Sequence, residues 1–198
     1  LYAYRQIPLD GDYFTPEDLV RVGLVNGNEI HVRVDFNVPM DKQGRITDDY
    51  RIRRALPTIQ YLLRQGATKI VLNSHLGRPD GAVKPEFSLR PVAQRLEELL
   101  RQDGWLNADE GVTMLPALAK TPDNPFAVAG AQIDQLIAAS TNRIVLRENV
   151  RYDKEEEKAA PEFANALYGR ADAVIIDAFG AAERAHASMA GYSPKTPR

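Results

Sequence analysis

His75 and Arg78 stand three residues apart in the run Ser74-His75-Leu76-Gly77-Arg78-Pro79. Two potential cations, with Gly77 between them letting backbone approach a ligand, suit an anionic group such as a phosphate. Related residues recur along the chain. Asp35-Phe36-Asn37 is followed by Arg51, Glu148-Asn149-Val150 by Arg151, and Asp177-Ala178-Phe179-Gly180 by Arg184 and His186. Arginine forks fit carboxylate and phosphate oxygens two at a time. If these segments meet, they make a basin rich in cations and poor in acids, suited to a small substrate carrying both groups. Each has a plainer reading when taken singly. An isolated Arg at a strand end is often a surface salt-bridge partner, and Asp35 could tie down a turn. His31, inside a strand, reads as structural. The run Asp153-Lys154-Glu155-Glu156-Glu157-Lys158 reads as a solvated face rather than a metal site.

The elements that must position these residues follow from periodicity and punctuation. Residues 1–14 show no clear period and read as an irregular lead-in. Thr15-Pro16-Glu17-Asp18 is an N-cap, a first-turn proline and two acids, which predicts a short helix over 15–22. Residues 29–35 alternate as a half-buried strand does, and Pro39 ends that segment. Ile52, Leu56, Ile59 and Leu63 fall at helical spacing between 48 and 65, with Pro57 as a kink and Gly66 as the stop. Lys69–Asn73 is a strand. Ser88 then caps a helix whose apolar face is Val92, Leu96, Leu99 and Leu100. Residues 103–130 hold one candidate strand at 112–115, and a helix follows over 131–139. Further strands lie at 143–147 and 173–177, with a helix from Pro161 to Tyr168 between them. Strands alternating with helices predict a mostly parallel sheet with helices on both faces. Parallel strands end on one edge, where open α/β sheets bind ligands.

Composition bounds the function. A chain of 198 residues, 44% hydrophobic and 26% charged, is an ordinary globular chain with room for one full core. A net charge of -2 argues against a general nucleic-acid binder. The absence of cysteine excludes disulfides, thiolate catalysis and Cys-based zinc sites, and fits a reducing cytoplasm. No apolar run approaches the ~18 residues of a membrane span. A single domain over 1–198 is the expectation.

Longer motifs carry a resemblance. They are Val32-Arg33-Val34-Asp35-Phe36-Asn37-Val38-Pro39, Ile46-Thr47-Asp48-Asp49, Arg51-Ile52-Arg53 through Ile59, Ser74 to Pro79, Glu148-Asn149-Val150-Arg151, Glu155-Glu156-Glu157-Lys158, and Asp177 through Ser188. In this order and spacing the chain resembles the N-terminal, 3-phosphoglycerate-binding domain of phosphoglycerate kinase, over residues 29–100 and 143–191. The resemblance implies a three-layer αβα, Rossmann-like fold. It also implies reversible phosphoryl transfer in glycolysis between 1,3-bisphosphoglycerate and MgADP, giving 3-phosphoglycerate and MgATP. Asp35 and Asn37 would hold the hydroxyl and carboxyl end of the substrate, and His75, Arg78, Arg151 and Arg184 the phosphate, with Phe36, Leu76 and Gly77 also substrate-binding. Arg51 would be catalytic, lying against the carboxyl group and the phosphoryl in flight. No metal site is expected here: Mg-ADP or Mg-ATP would sit on a C-terminal nucleotide domain absent from this chain. These residues alone would bind but not turn over. The expected state is a cytoplasmic monomer with no nucleic-acid or membrane partner.

The chain also departs from the family pattern. It reads Gly180-Ala181-Ala182-Glu183-Arg184 where Gly-Thr-Ala-His-Arg is usual, Ile176 where Asn is common, and Arg147 where an aliphatic residue is usual. Residues 104–142 match poorly. The alternative reading is a stand-alone, non-catalytic phosphoglycerate-binding or regulatory module. A third is an unrelated α/β enzyme using His75 as acid or base.

Overall fold

The apolar runs of the sequence become strands of one sheet in a computed structural model, which describes residues 2–4, 15–117, 126–178, 180 and 185–190. The strands are β1 (Tyr2–Tyr4), β2 (Glu29–Val34), β3 (Lys69–Asn73), β4 (Val112–Met114), β5 (Ile144–Leu146) and β6 (Ala173–Asp177). Their order is β1-β6-β2-β3-β5-β4. All pairs are parallel except β1 with β6, where Tyr2 faces Ile176 and Tyr4 faces Val174. The expected irregular lead-in therefore contains an edge strand. Its three residues are too few to show a period, and an antiparallel partner 170 residues away leaves no local sign.

The helices are α1 (Pro16–Arg21), α2 (Tyr50–Arg64), α3 (Arg90–Gln102), α4 (Phe126–Ala139), α5 (Lys154–Glu157), α6 (Pro161–Tyr168) and α7 (Ala187–Ala190). At α1 the Thr15 hydroxyl accepts from the Asp18 amide at 3.2 Å, and the Asp18 carboxylate accepts from the Thr15 amide at 3.0 Å. Such a reciprocal cap is worth about 1 kcal/mol. α2 runs unbroken through Pro57, which stands exposed. It stops before Gly66, at φ +83°, where a Cβ would come within 2.4 Å of the Asn26 amide oxygen. α4 begins at Phe126, five residues earlier than the expected 131.

Ser88 does not occupy the cap position of α3, although its hydroxyl accepts from the Arg90 amide at 3.2 Å. Leu89 occupies that position, and its amide donates to the Glu148 carboxylate at 2.8 Å. A carboxylate 59 residues away thus satisfies the free amide at this helix start, and the Ser88 hydroxyl donates to the same carboxylate at 2.7 Å.

α1, α2 and α3 pack on one face of the sheet, against Ile30, Val32, Val34, Ile70, Leu72, Ile144, Leu146 and Ile175. α4 and α6 cover the other face, where Val71 and Val145 meet Ile133 and Ile137, and Val174 meets Phe163 and Leu167. The result is a three-layer α/β architecture. β2 is not half-exposed as its alternation suggested, because all six of its residues are buried. No described helix is long and apolar enough to cross a membrane.

Candidate functional site

A cleft of about 280 Å³ opens at the carboxyl ends of four strands. The segment after β2 supplies Asp35 and Asn37, that after β3 supplies His75, Gly77 and Arg78, that after β5 supplies Arg151, and that after β6 supplies Gly180. The first turn of α2 adds Arg51. The expected convergence therefore occurs for Asp35, Asn37, Arg51, His75, Gly77, Arg78 and Arg151. Phe36 and Leu76 do not line the cleft. At 0% and 2% exposure their side chains belong to the core, so only their backbone stands near the site. Arg184, with Phe179, Ala181 and Glu183, lies outside the described residues.

The cations differ in how they are held. Arg51 is ion-paired with Asp35 through Nη1 and Oδ2. Arg151 is buried, donates from Nη1 to the Gly77 carbonyl at 3.0 Å, and has Glu157 3.7 Å from its Nε. Arg78 is exposed and forms no ion pair with any described residue. His75 is not a cation. Burial, with the charges of Arg33 and Arg151 beside it, holds its imidazole down at about 2. Its Nδ1 accepts from Arg33 Nη2 at 3.1 Å, which assigns the proton of the neutral ring to Nε2.

Backbone and short polar side chains tie the walls together. Asn37 Oδ1 accepts from the Gly77 amide at 2.8 Å, and Ser74 Oγ accepts from the Phe36 amide at 2.9 Å. Gly77 sits at φ +60°, and a Cβ there would lie 2.4 Å from the Phe87 ring. That position admits only glycine. At Gly180 a Cβ would stand 3.0 Å from Asp35 Oδ2 and 3.7 Å from Arg51 Nη1. Gly180 was not among the expected site residues. Its signal was a glycine directly after a strand-end Asp-Ala-Phe.

Arg33 was also missed as a support of the site. It is fully buried, and its Nε donates to Ser188 Oγ at 2.7 Å while Nη1 reaches the Val34 carbonyl. Ser188 in turn donates from its amide to Glu156 at 2.8 Å. Glu156 is 0% exposed, so the acidic run 153–158 is not simply a solvated face. His31 is structural: its Nε2 meets Glu29 Oε1 at 2.7 Å, and its ring stands edge-on to Tyr168. Among the described residues no group of three or more His, Asp or Glu side chains could hold a metal ion.

Comparison with known proteins gives consistent matches. The family model described as "Phosphoglycerate kinase" matches residues 20–198. The phosphoglycerate kinase of Synechococcus elongatus is 49% identical over 169 residues, covering 85% of this chain and 38% of that protein. The cytosolic phosphoglycerate kinase of Triticum aestivum is 47% identical over 170 residues, covering 85% of this chain and 37% of that one. Among solved structures, phosphoglycerate kinase from Coxiella burnetii superposes with a TM-score of 0.62 at 35% identity, over 84% of this chain and 36% of that one. The enzyme from Pyrococcus horikoshii OT3 gives 0.63 at 26% identity, over 90% and 40%. The chain thus spans about two fifths of the length of the relatives it matches.

Proposed function

Since the chain belongs to the phosphoglycerate kinase family, we propose that it is the glycerate-holding half of such a kinase. On this reading the cleft binds 3-phosphoglycerate and 1,3-bisphosphoglycerate. Nucleotide and Mg²⁺ are held by a second domain outside these 198 residues.

The observation that carries the proposal is the meeting of Arg51, Arg78, Arg151 and the His75 imidazole around one cleft from separate loops. Arg78 and the protonated Nε2 of His75 offer donors to the phosphate. Arg151 and Arg184 are assigned to the same group. Asn37 and Asp35 orient the hydroxyl and carboxyl end. A carboxylate is already a nucleophile, so phosphoryl transfer asks no general base of this domain. What it asks is fixed positive charge at the equatorial oxygens in flight. Arg51 is placed to supply that charge once substrate competes for it with Asp35. Closure of the two domains excludes water and aligns the reacting groups, so this chain alone binds without turnover.

Isothermal calorimetry tests the assignment. The chain binds 3-phosphoglycerate, and Arg78→Ala weakens that binding by at least about 1.5 kcal/mol, the lower end for a hydrogen bond to a charged group. An affinity indifferent to Arg78 would overturn the proposal.

A further inference from the structure

The four loops around the cleft belong to different strands, so something must fix their mutual distances. Asn149 is 2% exposed and spends its whole amide on this task. Its Nδ2 donates to the Leu76 carbonyl at 2.7 Å and to the Phe87 carbonyl at 2.9 Å, and its Oδ1 accepts from the Arg151 amide at 3.1 Å. None of these partners is interchangeable. Leu76 and Phe87 are the two feet of the loop that carries Gly77 and Arg78. Arg151 is the cation from the neighbouring strand.

From these contacts we infer that Asn149 is the positioning residue of the anion basin. The peptide it grips at Leu76 leads directly to Gly77. The amide of Gly77 holds Asn37 Oδ1 at 2.8 Å and its carbonyl holds Arg151 Nη1 at 3.0 Å. One side chain therefore sets the spacing of the walls after β2, β3 and β5. Gripping the carbonyl of Phe87 also keeps that ring over Gly77, where only the absent Cβ leaves room. The preceding residue completes the clamp: the Glu148 carboxylate accepts from the amides of Leu89 and Asn149 at 2.8 Å each. A buried amide with all these bonds satisfied acts as a rigid connector, since every alternative placement leaves donors or acceptors unpaired. Asn149 touches no ligand in this account. It acts through Arg151 and the 76–87 loop, and its effect on substrate rests on the function proposed above.

The test uses the 198-residue chain and two readouts, amide hydrogen exchange and calorimetric titration with 3-phosphoglycerate. In the unsubstituted chain the amides of Gly77 and Arg151 should open with one shared protection factor. In Asn149→Ala the Gly77 amide should exchange at least tenfold faster, while Val71 and Leu72 in β3 stay within twofold. Asn149→Asp keeps the acceptor but loses both donors. It should therefore free Gly77 and leave Arg151 protected, and it serves if the alanine variant does not fold. Affinity for 3-phosphoglycerate should fall at least tenfold in Asn149→Ala. Combined with Arg151→Ala, the loss should be clearly smaller than the product of the two single losses. Unchanged Gly77 exchange in both variants, or losses that simply multiply, would overturn the inference. If the unsubstituted chain fails to bind 3-phosphoglycerate, the functional proposal falls while the exchange data still decide the role of Asn149.

Discussion

The two faces of the central sheet are built on opposite principles. Toward α1, α2 and α3 the inward residues of β2, β3, β5 and β6 are aliphatic: Ile30, Val32, Val34, Ile70, Leu72, Ile144, Leu146 and Ile175. Toward α4 and α6 the same strands turn Glu29, His31, Arg33 and Asn73, with Arg147 directly after β5, all buried, among Val71, Val145 and Val174. The aliphatic face is held chiefly by burial, with the Thr58 hydroxyl donating to Asp177 at 2.7 Å between α2 and β6. The polar face is held by pairing. Glu29 meets Arg170 at 2.6 Å and His31 at 2.7 Å, and Arg33 reaches Ser188 at 2.7 Å. The pairing is incomplete, since His31 Nδ1, Asn73 Oδ1 and Arg147 Nε have no hydrogen-bond partner among the described residues. The difference separates two tasks: one face supplies cohesion, and the other brings the Arg33 charge up behind the cleft, where it donates to the neutral His75 ring.

The sharpest way to break this contrast is Glu156→Ala. It strips the buried carboxylate from Ser188, whose hydroxyl accepts from Arg33, and from His186 3.8 Å away. Removing one member of a buried charged set costs roughly 3–5 kcal/mol. Urea denaturation should show that loss, and a change under about 1 kcal/mol would mean that the polar face is not held by pairing.

Acid should dissolve the polar face and spare the aliphatic one. Burial lowers His75 to about 2 and also lowers His31, against an ordinary value of 6.5. Both groups therefore bind fewer protons folded than unfolded. Their stability is fully present above pH 6.5 and drains as pH falls toward the folded value, by about 1.4 kcal/mol per pH unit for each histidine. Glu29 adds to this at lower pH. Burial alone would raise its carboxyl, but hydrogen bonds from His31 and Arg170 bring it down to about 2, so its share is lost as pH falls from 4.5 toward 2. Urea midpoints taken between pH 7.5 and 5.5 should fall accordingly, and His75→Gln should flatten the slope by one histidine's share. A slope unchanged by that substitution contradicts the burial of a neutral His75.

The smallest effect belongs to Arg147→Leu, which makes the polar face more like the other. Burial pulls the Arg147 guanidinium down to about 10, its Asp134 partner is 3.5 Å away, and Nε and Nη2 make no hydrogen bond to any described residue. Replacing such a group by an apolar one of similar bulk is often neutral or stabilising, so the expected change lies within about 1 kcal/mol. A loss above about 2 kcal/mol would show that the ion contact with Asp134 and the 3.1 Å bond to the Ala166 carbonyl hold α4 and α6 in place.

The same contrast explains what could be read from sequence. Strands such as Lys69–Asn73 and Ala173–Asp177 were legible because apolar runs between turn signals leave few alternatives. Arg51, His75, Arg78 and Arg151 were legible together because such residues recur after successive strands, whereas any one Arg there reads as a surface salt-bridge partner. The burial of β2 was not, because alternation of Glu29, His31 and Arg33 with aliphatic residues looks the same whether the polar side meets water or a partner. Those partners, Arg170 and Ser188, are 141 and 155 residues away. Tyr2–Tyr4 and the Glu148 carboxylate at the start of α3 were hidden for the same reason, as both depend on contacts distant along the chain.

Strand order has a last consequence for synthesis. β6 lies beside β2, whose other neighbour β3 is made more than a hundred residues earlier. A nascent chain on the ribosome can pair β2 with β3 early, yet the flank of β2 that β6 will cover stays open until residue 177 has emerged. Gly180 reaches the Asp35–Arg51 pair only after that. Among the described elements that wall the cleft, the segment after β6 is therefore the last to be made, and a nascent chain short of it leaves β2 open along one side.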